Sequence, residues 1–204
     1  MALLDVMKIT TVFKTGKFSV EITDVDTSHT KKASIRSVLV FLHGFAMRNC
    51  YYTNLFKHKT SHGFICVALQ LYNLLPPSGY EEIESTTTVT VWLSARKEES
   101  ISISLRPTSS NLTPPPLRYH IVATEYGHLD MLDDNPPGIM WALSGWCCKS
   151  GQGPKNPLRR CVGGIVVAFL RAFLESDHGV DLKAILGAPE FAPVKLDPVE
   201  YDEA

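Results

Sequence analysis

Two apolar runs, Val38 to Leu42 and Phe64 to Leu71, most constrain what this chain can fold into. The first is β-branched and aliphatic without polar alternation, the pattern of a strand buried on both faces of a parallel sheet. Between the two, Arg48 to Ser61 carries helix formers with Tyr51, Leu55 and Phe56 spaced along one face. Strand, crossover helix and strand within about 30 residues make a βαβ unit, which predicts an α/β fold. A third buried strand is predicted at Tyr119 to Thr124, and a final helix at Leu158 to Leu174, apolar at Cys161, Ile165, Phe169 and Ala172. Glu82 to Leu93 reads as a helix through Ile83, Val89, Trp92 and Leu93, although Thr86, Thr87 and Thr88 are poor helix formers. Phe13 to Asp26 alternates as a strand would, while Arg106 to Pro116, with four prolines, reads as a loop or linker. No repeat period is visible.

A length of 204 residues with 45% hydrophobic content suits one core and one domain. Lys and Arg number 20 against 21 Asp and Glu, so there is no electrostatic footprint for nucleic acid or an anionic membrane. The 5 cysteines are odd in number and lack C-x-x-C spacing, which points to a reducing, intracellular setting. The start has no basic segment followed by an apolar run and a cleavage site, so no secretory leader is expected. No Arg precedes Arg36, and Asp5, Glu21, Asp24 and Asp26 are acidic, against the pattern of a plastid transit peptide. The residues do not choose between chloroplast and cytoplasm. The longest apolar stretch, Val162 to Leu170, falls short of the about 20 residues a membrane span needs. A soluble or peripheral protein is expected.

His43-Gly44-Phe45 ends the first apolar run, where a hydrolase of the α/β type places the loop whose backbone N–H helps bind a tetrahedral oxyanion. Gly44 would allow the turn and Phe45 would offer the amide; the plainer alternative is a strand ending in a turn. His128, four residues past the third strand, has the chain position of the general base, last in the order Ser, Asp, His. A lone loop histidine is otherwise a common surface residue. The nucleophile is the missing part. Such a serine sits in G-x-S-x-G, and none of the 13 glycines has a partner four positions later. Asp130, Asp133 and Asp134 lie near His128, but the triad carboxylate of this fold comes from an earlier strand end. Cys147-Cys148 beside Lys149 reads as a reduced or structural thiol pair, because adjacent cysteines chelate poorly. No metal and no cofactor is expected. Asn111-Leu112-Thr113 matches a glycosylation sequon by chance, with Pro114 following.

Several blocks in order carry a resemblance: Val38 to His58, Ser61 to Gly79, EYGHLDMLDD at Glu125 to Asp134, Arg159 to Glu175 and Phe191 to Tyr201, with a fainter VFKTGKFSV near the start. Together they resemble the plant chlorophyllases, α/β-hydrolases that cleave the phytyl ester of chlorophyll. The resemblance implies an α/β-hydrolase-like, mostly parallel sheet with flanking helices, and a chlorophyll or related phytyl-ester substrate. It makes His128 the general base and His43, Gly44 and Phe45 the oxyanion loop. Peripheral association with pigment membranes stays open.

The departures are as informative. The family's serine lies in a GHSRGG elbow and its acid in a later strand-end segment, and neither occurs here. Instead WLSARKEES leads through a proline-rich junction, residues 106–117, directly to YHIVATEYGH. The expectation is a single incomplete domain over residues 1–204, truncated in its central and later strands. A shorter gap is expected before Val38, and Leu69 replaces a proline usual in the family. Asp197-Pro198-Val199 belongs to the matching tail and is not a substitute acid. Losing the nucleophile strand would bare an edge of the first strand, so poor folding or a rearranged smaller sheet is expected. Three readings follow: a shortened ester hydrolase without its activity, a pseudoenzyme binding a hydrophobic ligand or partner, or a nonfunctional product.

Overall fold

The protein, seen in a computed structural model, is described here for residues 11–22, 38–44, 47–72, 78–97, 118–136, 150–151, 153–175 and 179–202. The βαβ unit forms as its pattern predicts. Strand β1 (Val38–Leu42) pairs parallel with β2 (Ile65–Leu69), Val38 opposite Ile65 and Leu42 opposite Leu69, and helix α1 (Thr53–Ser61) makes the crossover. Helix α2 (Gly79–Lys97) runs longer than expected. Its threonines are accommodated because Thr87, Thr88 and Thr90 donate their hydroxyls back to the carbonyls of Ile83, Glu84 and Thr86. Strand β3 (Arg118–Ala123) lies near its predicted place, followed by helix α3 (Asn156–Leu174), which begins with Pro157 in its first turn.

Two elements were not expected after α3: helix α4 (Val180–Gly187) and strand β4 (Leu196–Asp202). Strand β4 pairs antiparallel with β3, Tyr119 opposite Tyr201 and Ile121 opposite Val199. The expected mostly parallel sheet is therefore replaced, among the described residues, by one parallel and one antiparallel two-stranded sheet. Strand β3 takes the tail strand as its partner rather than β1. The α/β character stands; the two sheets are small. Neither β1 nor β2 is buried on both faces, and Leu42 is 47% exposed, because two strands alone cannot enclose themselves.

The described part of the expected strand Phe13 to Asp26 is irregular. Its backbone groups are satisfied by the end of α1 instead of a sheet: Gly16 N–H donates to Ser61 Oγ at 2.8 Å and Phe18 N–H to the Ser61 carbonyl at 3.0 Å. The adjacent Val12 and Phe13 are both buried in the main core, with Phe64, Leu158, Cys161, Val167, Leu182, Ile185 and Leu196. Helix α3 is central, packed against both α1 and α4. Two adjacent glycines make that approach possible. A Cβ on Gly163 would stand 2.6 Å from His58 Cδ2, and one on Gly164 would stand 2.4 Å from Phe13 Cδ1. A smaller cluster of Met47, Tyr51, Leu129 and Leu132, with Tyr52 against it, joins the segment after β1 to the segment after β3.

Candidate functional site

His43 follows directly on β1, and β2 holds it from the neighbouring strand end. Leu71 N–H donates to His43 Nε2 at 3.2 Å, which places the ring proton on Nδ1, 3.1 Å from the Gly44 carbonyl. The Gln70 amide nitrogen is also 3.2 Å from Nε2 and donates to the Tyr72 carbonyl, while its oxygen accepts from Asn49 N–H at 2.9 Å. Tyr72 meets the His43 ring edge-on, with centroids 4.7 Å apart. Buried and tied in this way, His43 links the ends of the two parallel strands and fixes where the next residues turn. The Gly44 carbonyl accepts from Met47 N–H at 3.0 Å, closing that turn. A hydrogen bond from the Gly44 backbone reaches the Tyr52 phenol, whose acidity is weakened first by burial and partly restored by that bond. Phe45, the expected amide donor, lies outside the described residues.

His128 opens a short 3-10 turn, His128–Met131, after β3. Its backbone is placed; its side chain lies outside the description. The turn is brought against the β1 loop by Leu129 and Leu132, which pack on Met47 and Tyr51. The two loops that the sequence singles out, far apart in the chain, thus share one small apolar cluster.

The three aspartates beside His128 each hold a different part of the fold. Asp130, 1% exposed, accepts from Gly127 N–H at 2.7 Å and Gly151 N–H at 2.6 Å through the same oxygen. The Lys155 ammonium stands 4.0 Å from its other oxygen, easing the burial of the charge. Asp133 reaches across to the start of α1, accepting from Thr53 N–H and Asn54 N–H, each at 3.0 Å, while its own N–H donates to the Tyr51 carbonyl at 2.7 Å. It acts as an N-cap supplied from a distant segment. Asp134 takes a two-pronged bond from Arg159 of α3, at 2.5 and 3.3 Å, and this bond holds its carboxyl below the usual carboxylate range. All three are positioning groups for the His128 loop. Sequence reasoning set them aside as triad acids but missed these roles, because a cap donated from eighty residues away leaves no local pattern.

Among the described cysteines, Cys161 is buried in the core, with its thiol pushed up to about 12 by burial. A thiol so hard to ionise is no substitute nucleophile. Cys147, Cys148 and the Asn111 sequon lie outside the described residues.

Comparison with known proteins gives these loops a context. The family model described as Chlorophyllase matches residues 8–114 and 113–203, two stretches that meet at Thr113 and Pro114. Chlorophyllase-1, chloroplastic, of Citrus unshiu is 32% identical over 255 residues, covering 82% of this chain and 77% of that protein. Chlorophyllase-1 of Arabidopsis thaliana is 28% identical over 263 residues, covering 82% of this chain and 81% of that protein. Chlorophyllase-2 of the same plant is 28% identical over 259 residues, covering 80% and 81% respectively. Each alignment is longer than the chain of 204 residues, so each relative has residues with no counterpart here. Matched along most of its length by the family model, and carrying both loops in the expected order, the chain belongs to the chlorophyllase family.

Proposed function

We propose that this chain is an internally shortened chlorophyllase-type carboxylic ester hydrolase, one incomplete domain that keeps the oxyanion loop and the general base but has lost the nucleophile and its acid. The observation that carries this reading is the family match in two stretches meeting at residues 113–114, inside the proline-rich segment 106–117, which lies outside the described residues. In the complete reaction the serine oxygen attacks the ester carbonyl as His128 takes its proton. The Phe45 amide stabilises the oxyanion, and His128 returns the proton as phytol leaves; water, its proton taken by His128, then attacks the acyl-enzyme and releases chlorophyllide as the serine oxygen regains a proton. His43 and Gly44 contribute by fixing the loop, as their bonds to β2 and to Met47 support. Without the serine no acyl-enzyme forms, and a base acting on water alone lacks the covalent route.

The substrate class is chlorophyll or a related phytyl ester, following the relatives' names. No described helix is long and apolar enough to cross a membrane. The setting is intracellular, in chloroplast or cytoplasm; the Citrus proteins are named chloroplastic.

A phytyl-ester hydrolysis assay on the purified chain, read as chlorophyllide released, tests the proposal. The expected rate is indistinguishable from that of His128→Ala. Turnover at the rate of a full-length relative overturns it. A second reading, a pseudoenzyme that binds a hydrophobic ligand, is favoured by one feature. Tyr119, Phe169, Phe173 and Tyr201 form a contiguous aromatic surface over β3, β4 and α3, with Phe169 and Phe173 centroids 4.5 Å apart and Phe173 46% exposed. Saturable pigment binding without turnover, weakened by Phe173→Ser, is its signature.

A further inference from the structure

A cavity of about 380 Å³ lies away from His43, between the irregular N-terminal segment, the end of α1 and α3. Three cations line it: Lys14, Lys17 and Arg171. Thr15 adds a hydroxyl, the Ser61 hydroxyl being committed to the His58 carbonyl at 2.6 Å, and no acidic residue among the described residues is part of the lining. The cations differ in how they are held. Arg171 is oriented by Asp181 at 2.9 Å, by Glu175 at 3.9 Å and by the bond from its Nη2 to His62 Nδ1 at 3.3 Å. Each of its two terminal nitrogens keeps a second N–H beyond these bonds. His62 is an acceptor on that side and donates its Nε2 proton to the Lys14 carbonyl at 2.9 Å, which fixes the backbone beside the cavity. Lys14 and Lys17 have no ion-pair partner among the described residues, and Lys17 stands 5.4 Å from the centre of the Phe18 ring.

We propose that this cavity is an anion site that takes a phosphate group. Asp181 and Glu175 offset part of the local charge, but two lysines and one arginine leave a net positive wall. A guanidinium with spare N–H groups, ammonium groups and a hydroxyl are the donors that phosphate oxygens accept from. The volume exceeds what one phosphate fills, and Phe18 and the lysine stems supply apolar wall. The fitting ligand is thus a phosphate carried on a small organic body. The segment that builds the site, Lys14 to Phe18, has no part in the ester chemistry and makes this inference independent of it.

The test titrates the full chain with sodium phosphate against sodium chloride of equal ionic strength, reading Tm. A second arm measures co-sedimentation with phosphatidylcholine vesicles with and without phosphatidic acid, which distinguishes a soluble from a lipid source. The expected result is a saturable, phosphate-specific rise in Tm or phosphatidic-acid-dependent sedimentation. Lys14→Gln with Lys17→Gln should weaken either by about tenfold or more, whereas Lys14→Arg with Lys17→Arg should retain it. Unchanged circular dichroism of the Gln variant separates loss of the site from loss of the fold. Absence of both effects in the parent chain, or equal binding by a folded Gln variant, overturns the proposal.

Discussion

At the scale of single residues, Asp133 gives the most direct test of how the His128 loop is held. Its carboxylate satisfies two backbone donors at the start of α1, which has no side-chain cap of its own. Asp133→Ala should destabilise the protein by about 1 kcal/mol, within the 0.5–2 kcal/mol span of lost N-caps, and Asp133→Asn by less. Urea unfolding measures both. A second residue-scale prediction concerns His58 and His62, whose proton affinities are lowered from 6.5, chiefly by burial. His58 donates to the Val12 carbonyl at 2.7 Å, so its ring is satisfied without a charge. A base whose affinity falls on folding binds fewer protons in the folded than in the unfolded state. Its stabilisation is full above the unfolded value and lost as pH falls below about 6.5 towards the folded value. Melting curves at pH 7.5 and pH 5.5 should therefore differ, with the lower Tm at pH 5.5, and His58→Gln should reduce that difference.

At the scale of elements, the contact of α3 with α1 and the N-terminal segment depends on missing side chains. Alanine is normally better than glycine in a helix by about 1 kcal/mol. At Gly164 the new methyl would press on the buried Phe13 ring, at a distance no real contact shows. Gly164→Ala should therefore destabilise by about 1–3 kcal/mol despite its better propensity, and circular dichroism melting will give the sign. Element identities were legible where the pattern was local: β1, β2 and α3 follow from runs and periodicity in Val38 to Leu42, Phe64 to Leu71 and Leu158 to Leu174. Strand β4 was not, because Leu196 to Asp202 includes Pro198 and three acids, and its pairing with β3 makes it a strand. The segment 13–22 misled in the other direction: alternation was present, but its donors found Ser61 rather than a neighbouring strand.

At the scale of the whole molecule, the described residues form helices and two small sheets, and the cluster of Met47, Tyr51, Leu129 and Leu132 joins the loop after β1 to the loop after β3. Restoring a relative's serine elbow and acid segment between residues 113 and 114 should create phytyl-ester hydrolysis that His128→Ala then lowers by several orders of magnitude; chlorophyllide release measures both. Persistent inactivity of a well-folded restored chain would count against the loss of this segment as the cause. The linear order of residues determined the βαβ unit, the family blocks and the absence of a G-x-S-x-G turn, because each is written in neighbouring residues. Only the tertiary structure decided that β3 pairs with the tail, that Asp133 caps α1 and that Gly164 admits Phe13. Those outcomes depend on which surfaces and unpaired backbone groups meet across long stretches of chain, and a hydrogen-bond donor left open by one segment carries no mark of the distant residue that will satisfy it.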